Sequence, residues 1–304
     1  MKLIESDVMV YPEVFDPVVR IEKVGRLCYK SDSKYTKETA IKFFRQLVDS
    51  KHFAMLEHAT FVFKVTQPQY LNCVGKPYIN ATSTVTPSGK TRYLVSGNLR
   101  AIKENDLKPL MFELIQYYNY PELNYYFGIN SIPPANHHGV ELLSPKGSMC
   151  HLNLTEVEKA NHTYTTFKFI CDRGVSHEMV RHRPASFAQE STRYCNYSKD
   201  KFGKEITCVK PAFYDSWSKE AKSIYENSLK LSEQNYFMLL DKGMTPQQAR
   251  GVLPTDLKTE IIMTANDKEW KHFFDLRFKG TTGSPHPNMQ KVASKAYSLY
   301  LENV

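Results

Sequence analysis

Phe167-Lys168-Phe169-Ile170-Cys171, then residues 175–183 after Gly174, then Pro184-Ala185-Ser186-Phe187-Ala188-Gln189-Glu190-Ser191-Thr192-Arg193-Tyr194 form the most informative stretch of this chain. The first five residues alternate as a half-buried strand does. Gly174 permits a turn, and residues 175–183 have helical spacing, with Val175, Met179 and His182 on related faces. Pro184 disfavours helical geometry at Arg183, so the helix is expected to end there. Arg181-His182-Arg183 would then occupy a helix C-terminus, where the dipole tolerates cations. A charge run alone usually means a solvated face. Here the arginines alternate with a histidine, a glutamine and hydroxyls, and guanidinium forks suit phosphate or carboxylate oxygens.

Working outward, Ile41, Phe44, Leu47 and Val48 predict a helix over 37–50, and Phe61-Val62-Phe63-Lys64-Val65 predicts a second strand. Residues 68–165 change in character. They are rich in Tyr, Asn, Pro and Gly, with a helical stretch over 107–118 and turn signals at Pro87-Ser88-Gly89 and Pro133-Pro134. Their many aromatics suggest an elaboration upon a core. Residues 214–240 read as a long amphipathic helix closed by Gly243. Thr245-Pro246-Gln247-Gln248 is a capping box with proline at the first helical position, opening a short helix that carries Arg250 and stops at Gly251 and Pro254. Trp270, Phe273, Phe274 and Arg277 share one helical stretch, and a last helix is expected over 289–301.

The 304 residues carry a net charge of +8 and a pI near 9.0, which favours an anionic partner. The N-terminus lacks the apolar core of a signal peptide, and no apolar run approaches the ~18 residues of a membrane span. A cytoplasmic protein that engages no membrane is expected. Its six cysteines are scattered without a CxxC pair, as free thiols in a reducing compartment would be. The triplets at Asn80, Asn153, Asn161 and Asn196 are chance matches to a glycosylation signal.

Phosphate-binding glycine loops are absent, so a bound nucleotide would be held by side chains, with arginines at 181–193, Arg250 and Arg277 available. Ser191 with His182 as base would make a nucleophile, but no third group orients the histidine. A hydroxyl donating to phosphate is the plainer role. His137-His138 and Cys150-His151 lack the spacing of a metal site or a reactive dyad, and no metal is expected. Glu57-His58 reads equally as a buried structural pair or as part of a site.

Arg181-His182-Arg183, seven residues, then Ser191 resembles the signature of the flavin-dependent thymidylate synthases. Phe53-Ala54-Met55-Leu56-Glu57-His58 is similar to the family's Glu-His segment, Ala249-Arg250-Gly251-Val252-Leu253-Pro254 to its Ala-Arg-x-x-Leu-Pro element, and 266–277 to its Asn…Phe…Leu-Arg helix, all in family order. The resemblance implies an α/β (α+β) fold, a mainly antiparallel sheet flanked by helices. It implies one catalytic domain over 1–304 with 68–165 as an insertion. It further implies reductive methylation of dUMP to dTMP with FAD, NADPH and methylenetetrahydrofolate, in a homotetramer with shared sites. By position, His52, Glu57, Arg181, His182, Arg183, Asn266 and His272 would meet FAD. Gln189, Ser191, Arg193, Arg250 and Arg277 would hold dUMP, with Arg250 and Ser191 as the catalytic pair. The Pro-Cys-His/Gln motif of the cysteine-dependent enzymes is absent.

Several positions depart from that pattern. Lys268 stands for an arginine, His272 for Asn, Ala54 for a hydroxyl residue and Ala188 for Asn or Ser. Glu178 stands for Gln beside the nucleotide, and its carboxylate would repel a phosphate unless an arginine pairs with it. Two rivals remain: a relative acting on another pyrimidine nucleotide, and a basic nucleic-acid-binding module, which would leave the spaced Arg250 and Arg277 elements unexplained. The main reading expects no nucleic-acid partner.

Overall fold

The computed structural model describes residues 1–31, 35–131, 139–143 and 153–303. The expectations at Pro133-Pro134, His137-His138 and Cys150-His151 fall outside them. The strands are β1 Lys2–Ile4, β2 Asp7–Val10, β3 Thr60–Val65, β4 Ile79–Val85, β5 Thr91–Asn98, β6 Val140–Leu142, β7 Tyr164–Asp172, β8 Ser186–Gln189, β9 Thr207–Val209 and β10 Lys258–Asn266. They form two four-stranded antiparallel sheets, ordered β2-β7-β10-β8 and β4-β5-β3-β6, and a short parallel pair, β1-β9. The fold is the expected mix of helices and mainly antiparallel sheet.

β7 forms where alternation placed it, with Phe167 and Phe169 turned onto Trp270. Trp270, Phe273 and Phe274, from the helix Asp267–Phe274, meet Met289, Val292 and Ala296 of the C-terminal helix Pro287–Asn303 over this sheet. Fully burying each large side chain contributes roughly 1.5–3 kcal/mol. Asn266 lies outside the helix that the resemblance implies over 266–277. It ends β10 and caps the helix, its side chain accepting from Glu269 N at 3.0 Å.

The second sheet packs its β3 residues Phe61, Phe63 and Val65 against the helices Pro17–Tyr29, Lys37–Asp49, Lys108–Tyr118 and Pro121–Phe127. Residues 68–165 are woven into this core: β4, β5 and β6 pair with β3 or one another, and Leu110, Leu114, Leu123 and Tyr126 are buried in it. A third, smaller core lies under the helix Lys219–Asp241 through Leu229 and Tyr236.

Several helix boundaries differ from expectation. The helix after β7 spans Arg173–Met179, not 175–183. Arg181 N and His182 N instead bond Glu178 O and Met179 O, tighter turns that carry the His182 ring into the core. A separate turn, Tyr214–Ser216, precedes the long helix, because Ser218 caps it by accepting from Ala221 N at 3.2 Å. After Phe274 the chain widens into a π-helical turn, Asp275–Lys279, that carries Arg277. The short helix Pro246–Ala249 begins at the expected capping box, where Gln248 Oε1 accepts from Thr245 N at 2.9 Å, but it ends before Arg250, which opens a tighter turn, Arg250–Val252.

Candidate active site

A cavity of about 440 Å³ opens where the two large sheets meet, and Glu57, Arg183 and Asn266 line it. Glu57 comes from the turn Phe53–His58 that leads into β3, and Arg183 from the turn before β8. The Arg183–Pro184 peptide is cis. Arg100 Nη1 donates to Glu57 Oε1 at 2.7 Å and its Nε to Glu104 Oε1 at 2.7 Å. Burial pushes the Glu57 carboxyl up, and Arg100 opposes that shift. Asn266 is nearly spent on local structure: besides its capping role, its Nδ2 donates to Asn161 O at 3.2 Å.

The Arg-His-Arg cluster divides. Arg181 and Arg183 are exposed, and their guanidinium groups have no partner among the described residues. His182 is buried, with Nε2 3.1 Å from Glu269 O and its ring 5.3 Å from that of exposed His272. Burial, with His272 and Arg277 nearby, lowers its pKa to about 4, so the ring is neutral at physiological pH. Ser191 is not among its bonded partners, which leaves the Ser191–His182 nucleophile without geometric support. His52 is exposed at the end of the helix Lys37–Asp49.

A second group gathers past the other end of β8. Ser191 N donates to Cys28 O at 3.1 Å and Ser191 Oγ accepts from Arg193 N at 3.3 Å. Arg193 Nε donates to Gln247 Oε1 at 2.9 Å, which brings it to the helical turn that carries exposed Arg250. The Arg250 guanidinium has no partner among the described residues. Gln189 Nε2 donates to Ser176 Oγ at 2.8 Å and Thr259 Oγ1 at 3.2 Å, leaving its carbonyl oxygen available. Glu178 does find its arginine: Arg277 Nη1 donates to Glu178 Oε2 at 3.1 Å. Beneath this loop, buried Glu190 is held by Lys258 Nζ at 2.8 Å.

Sequence reasoning missed Arg100, Asn98, Asn80 and Tyr164, which also line the cavity. All lie in 68–165. In sequence Asn80 reads as part of a chance triplet, and only the strand register reveals the face it shares with Asn98.

Residues 155–302 match the family model described as thymidylate synthase complementing protein. The chain is similar to the flavin-dependent thymidylate synthase of Geobacter sulfurreducens, 37% identical over 105 residues, covering 34% of this chain and 43% of that protein. It is likewise similar to the proteins of that name from Sulfurisphaera tokodaii, 38% over 117 residues (38% and 43% covered), and Pyrococcus furiosus, 35% over 127 residues (38% and 47%). The matches span less than half the length of these curated relatives. A solved UMP/dUMP methylase from Streptomyces cacaoi, bound with 5-Br dUMP, aligns over 99% of this chain and 93% of its own at 14% identity and TM-score 0.42.

Proposed function

We propose that this chain, whose residues 155–302 match the family model and resemble the flavin-dependent thymidylate synthases, is a member of that family that reductively methylates dUMP to dTMP. The observation that carries the reading is the grouping of Ser191, Arg193 and Arg250 past the end of β8, with the Arg250 fork unpaired. Ser191 Oγ and Arg193 donate to the phosphate. Arg250 lies against the pyrimidine carbonyls, where its fixed charge favours the negative charge that develops as the ring carbon becomes nucleophilic. Gln189 offers its carbonyl to the nucleotide, and neutral His182 packs and orients its neighbours.

The cavity suits part of an FAD molecule. Its volume lies within the ~300–1,000 Å³ of ligand pockets, and it combines the unpaired Arg183 fork, fit for a diphosphate, with the Glu57 carboxylate, an acceptor for hydroxyls. His52, Arg181, Asn266 and His272 complete the proposed flavin contacts. When bound and reduced by NADPH, FAD supplies the hydride, while methylenetetrahydrofolate brings the carbon.

The assembly we propose is a homotetramer with shared sites. The flavin group sits at the Ser186 end of β8 and the nucleotide group beyond Gln189, roughly 13 Å of strand away. The helix Lys219–Asp241 bears Ile224, Leu231 and Met238 at seven-residue intervals, 73%, 56% and 60% exposed, a seam suited to another copy of the helix. Among the described residues no helix is long and apolar enough to cross a membrane, and Cys28, Cys73, Cys171, Cys195 and Cys208 are free thiols. The free thiols suit the reducing cytoplasm that we propose as its setting.

The test is to incubate the chain with FAD, NADPH, methylenetetrahydrofolate and dUMP and to separate the nucleotides chromatographically. dTMP should form only when all four are present. A colourless protein that takes up no FAD and makes no dTMP overturns the reading. The Glu178–Arg277 pair, which ties up one of the arginines proposed for dUMP, favours a second reading in which another pyrimidine nucleotide is the acceptor. UMP in place of dUMP separates the two.

A further inference from the structure

The cavity has a wall that residues 155–302 do not build. Asn80 stands opposite Ser96 in the β4–β5 ladder, and Thr60 opposite Asn98 in the β3–β5 ladder. Ser96 and Asn98, two residues apart, share a face, so Asn80, Asn98 and Thr60 form one polar patch of side chains roughly 5–8 Å apart. The β4–β5 part of this sheet face is covered by the helix Glu156–His162, which bonds polar side chains beneath it. His162 lies 2.8 Å from both Thr82 Oγ1 and Ser96 Oγ, and Glu158 accepts from Thr84 and Arg92. Where that cover ends, the matching ends too. Asn98 Oδ1 accepts from Ala101 N at 2.8 Å, but its NH₂ has no partner among the described residues. Asn80 Nδ2 donates to Tyr164 OH at 2.9 Å, but its carbonyl oxygen has none. The wall thus presents one donor and one acceptor to the cavity.

We propose that Asn80 and Asn98 recognise the carbonyl–NH–carbonyl edge of a pyrimidinedione ring, Asn98 donating to a ring carbonyl and Asn80 accepting from the ring N–H. This rests on the function proposed above, in which two molecules carry such an edge: the flavin and the uracil nucleotide. Two half-used amides, side by side on a rigid sheet, give the complementary pattern at no cost in new order. Specificity of this kind arises because a ligand lacking the edge leaves both amides unpaired.

Asn98→Asp tests this. The aspartate keeps the oxygen that caps the helix Leu99–Glu104 and replaces the donor with an acceptor. Asn98→Ser, also a good cap, shortens the reach without adding charge. FAD affinity of the full chain is read by quenching of flavin fluorescence and dUMP affinity by calorimetry, with thermal unfolding as a control. Expected is a loss of tenfold or more for one ligand with the other within twofold, and an unfolding midpoint within about 2 °C of the parent for at least one variant. A loss confined to FAD assigns the edge to the flavin, and a loss confined to dUMP assigns it to the nucleotide. If the parent binds both ligands and both variants do so within twofold of it, the inference is wrong and the proposed function stands. If the parent binds neither, the function falls and this inference with it.

Discussion

Lys258→Met perturbs the ion network under the Ser191 loop while retaining most of the side chain's volume. Lys258 Nζ lies 2.8 Å from Glu190 Oε2 and 2.9 Å from Glu260 Oε1, and Glu190 is 2% exposed. At an effective dielectric near 20, each contact is worth about 6 kcal/mol of attraction. Desolvating the ammonium costs several kcal/mol of that. Without Lys258, Glu190 is left with Lys30 at 3.9 Å, whereas Glu260 keeps Lys30 and Lys168. The uncompensated charge is therefore mainly that of Glu190, and a loss of about 3 kcal/mol is expected, at the low end for breaking a buried pair. Urea unfolding at pH 7 gives the number. Glu190→Gln in the Lys258→Met background should recover more than half of it, because the stranded charge is gone. A loss below about 1 kcal/mol, or a double variant no more stable than Lys258→Met, refutes the reasoning.

Arg250→Ala should retain FAD and lose at least a hundredfold in dTMP formation, since its proposed work is on the pyrimidine; single-turnover assays of the flavin-loaded protein check this. Arg183→Ala should weaken FAD about tenfold, measured by fluorescence titration, with little change in dUMP affinity. Stability should fall with acid from near pH 6.5, well above carboxylate titration. Burial holds His58 at about 3 and His162 and His182 at about 4, so each is neutral when folded and takes up a proton on unfolding. Their contribution is complete above pH 6.5 and is lost as pH falls from there to about 4 for His162 and His182 and to about 3 for His58. Urea midpoints flat between pH 7 and 5 would contradict it. Glu260 adds a lower limb: burial alone would raise its carboxyl, but Lys258, Lys168 and Lys30 hold it at about 2, so its contribution is lost between pH 4.5 and 2.

What was legible in the sequence was whatever local patterning controls. β7 announces itself by alternation because one of its faces packs on Trp270 while the other is mixed. The box at Thr245 announces a helix start because its partners are three residues apart. β10 was missed: it lies between β7 and β8, is buried along nearly its whole length, and mixes Thr and Glu with apolar residues, so no period of two survives. The division of Arg181-His182-Arg183 into two exposed cations and one buried neutral ring was also hidden. It depends on Glu269 and Phe273, almost ninety residues away. Asn80 and Asn98 could be recognised only through a register no single strand reveals.

The join between the two sheets carries a polar seam beside its apolar contacts through Ala188 and Ile262, and this bears on why a cavity persists there. His58 Nδ1 lies 2.8 Å from Thr264 Oγ1, which lies 2.8 Å from Thr166 Oγ1; Arg20 Nη2 donates to Thr166 Oγ1 at 2.7 Å and Arg20 Nε to His58 O at 2.5 Å. Four side chains from the first helix, the turn before β3, β7 and β10 are thereby tied in one buried chain. Beyond the interdigitation that holds any close-packed seam, a slip here would leave buried donors unpaired at about 1–3 kcal/mol each. Thr264 also lines the cavity, so the groups that fix the sheets' relation fix its width. The wall carrying Asn80 and Asn98 is thus held at a set distance from the wall carrying Arg183 and Asn266. That is the condition for recognising a flat ring by its edge.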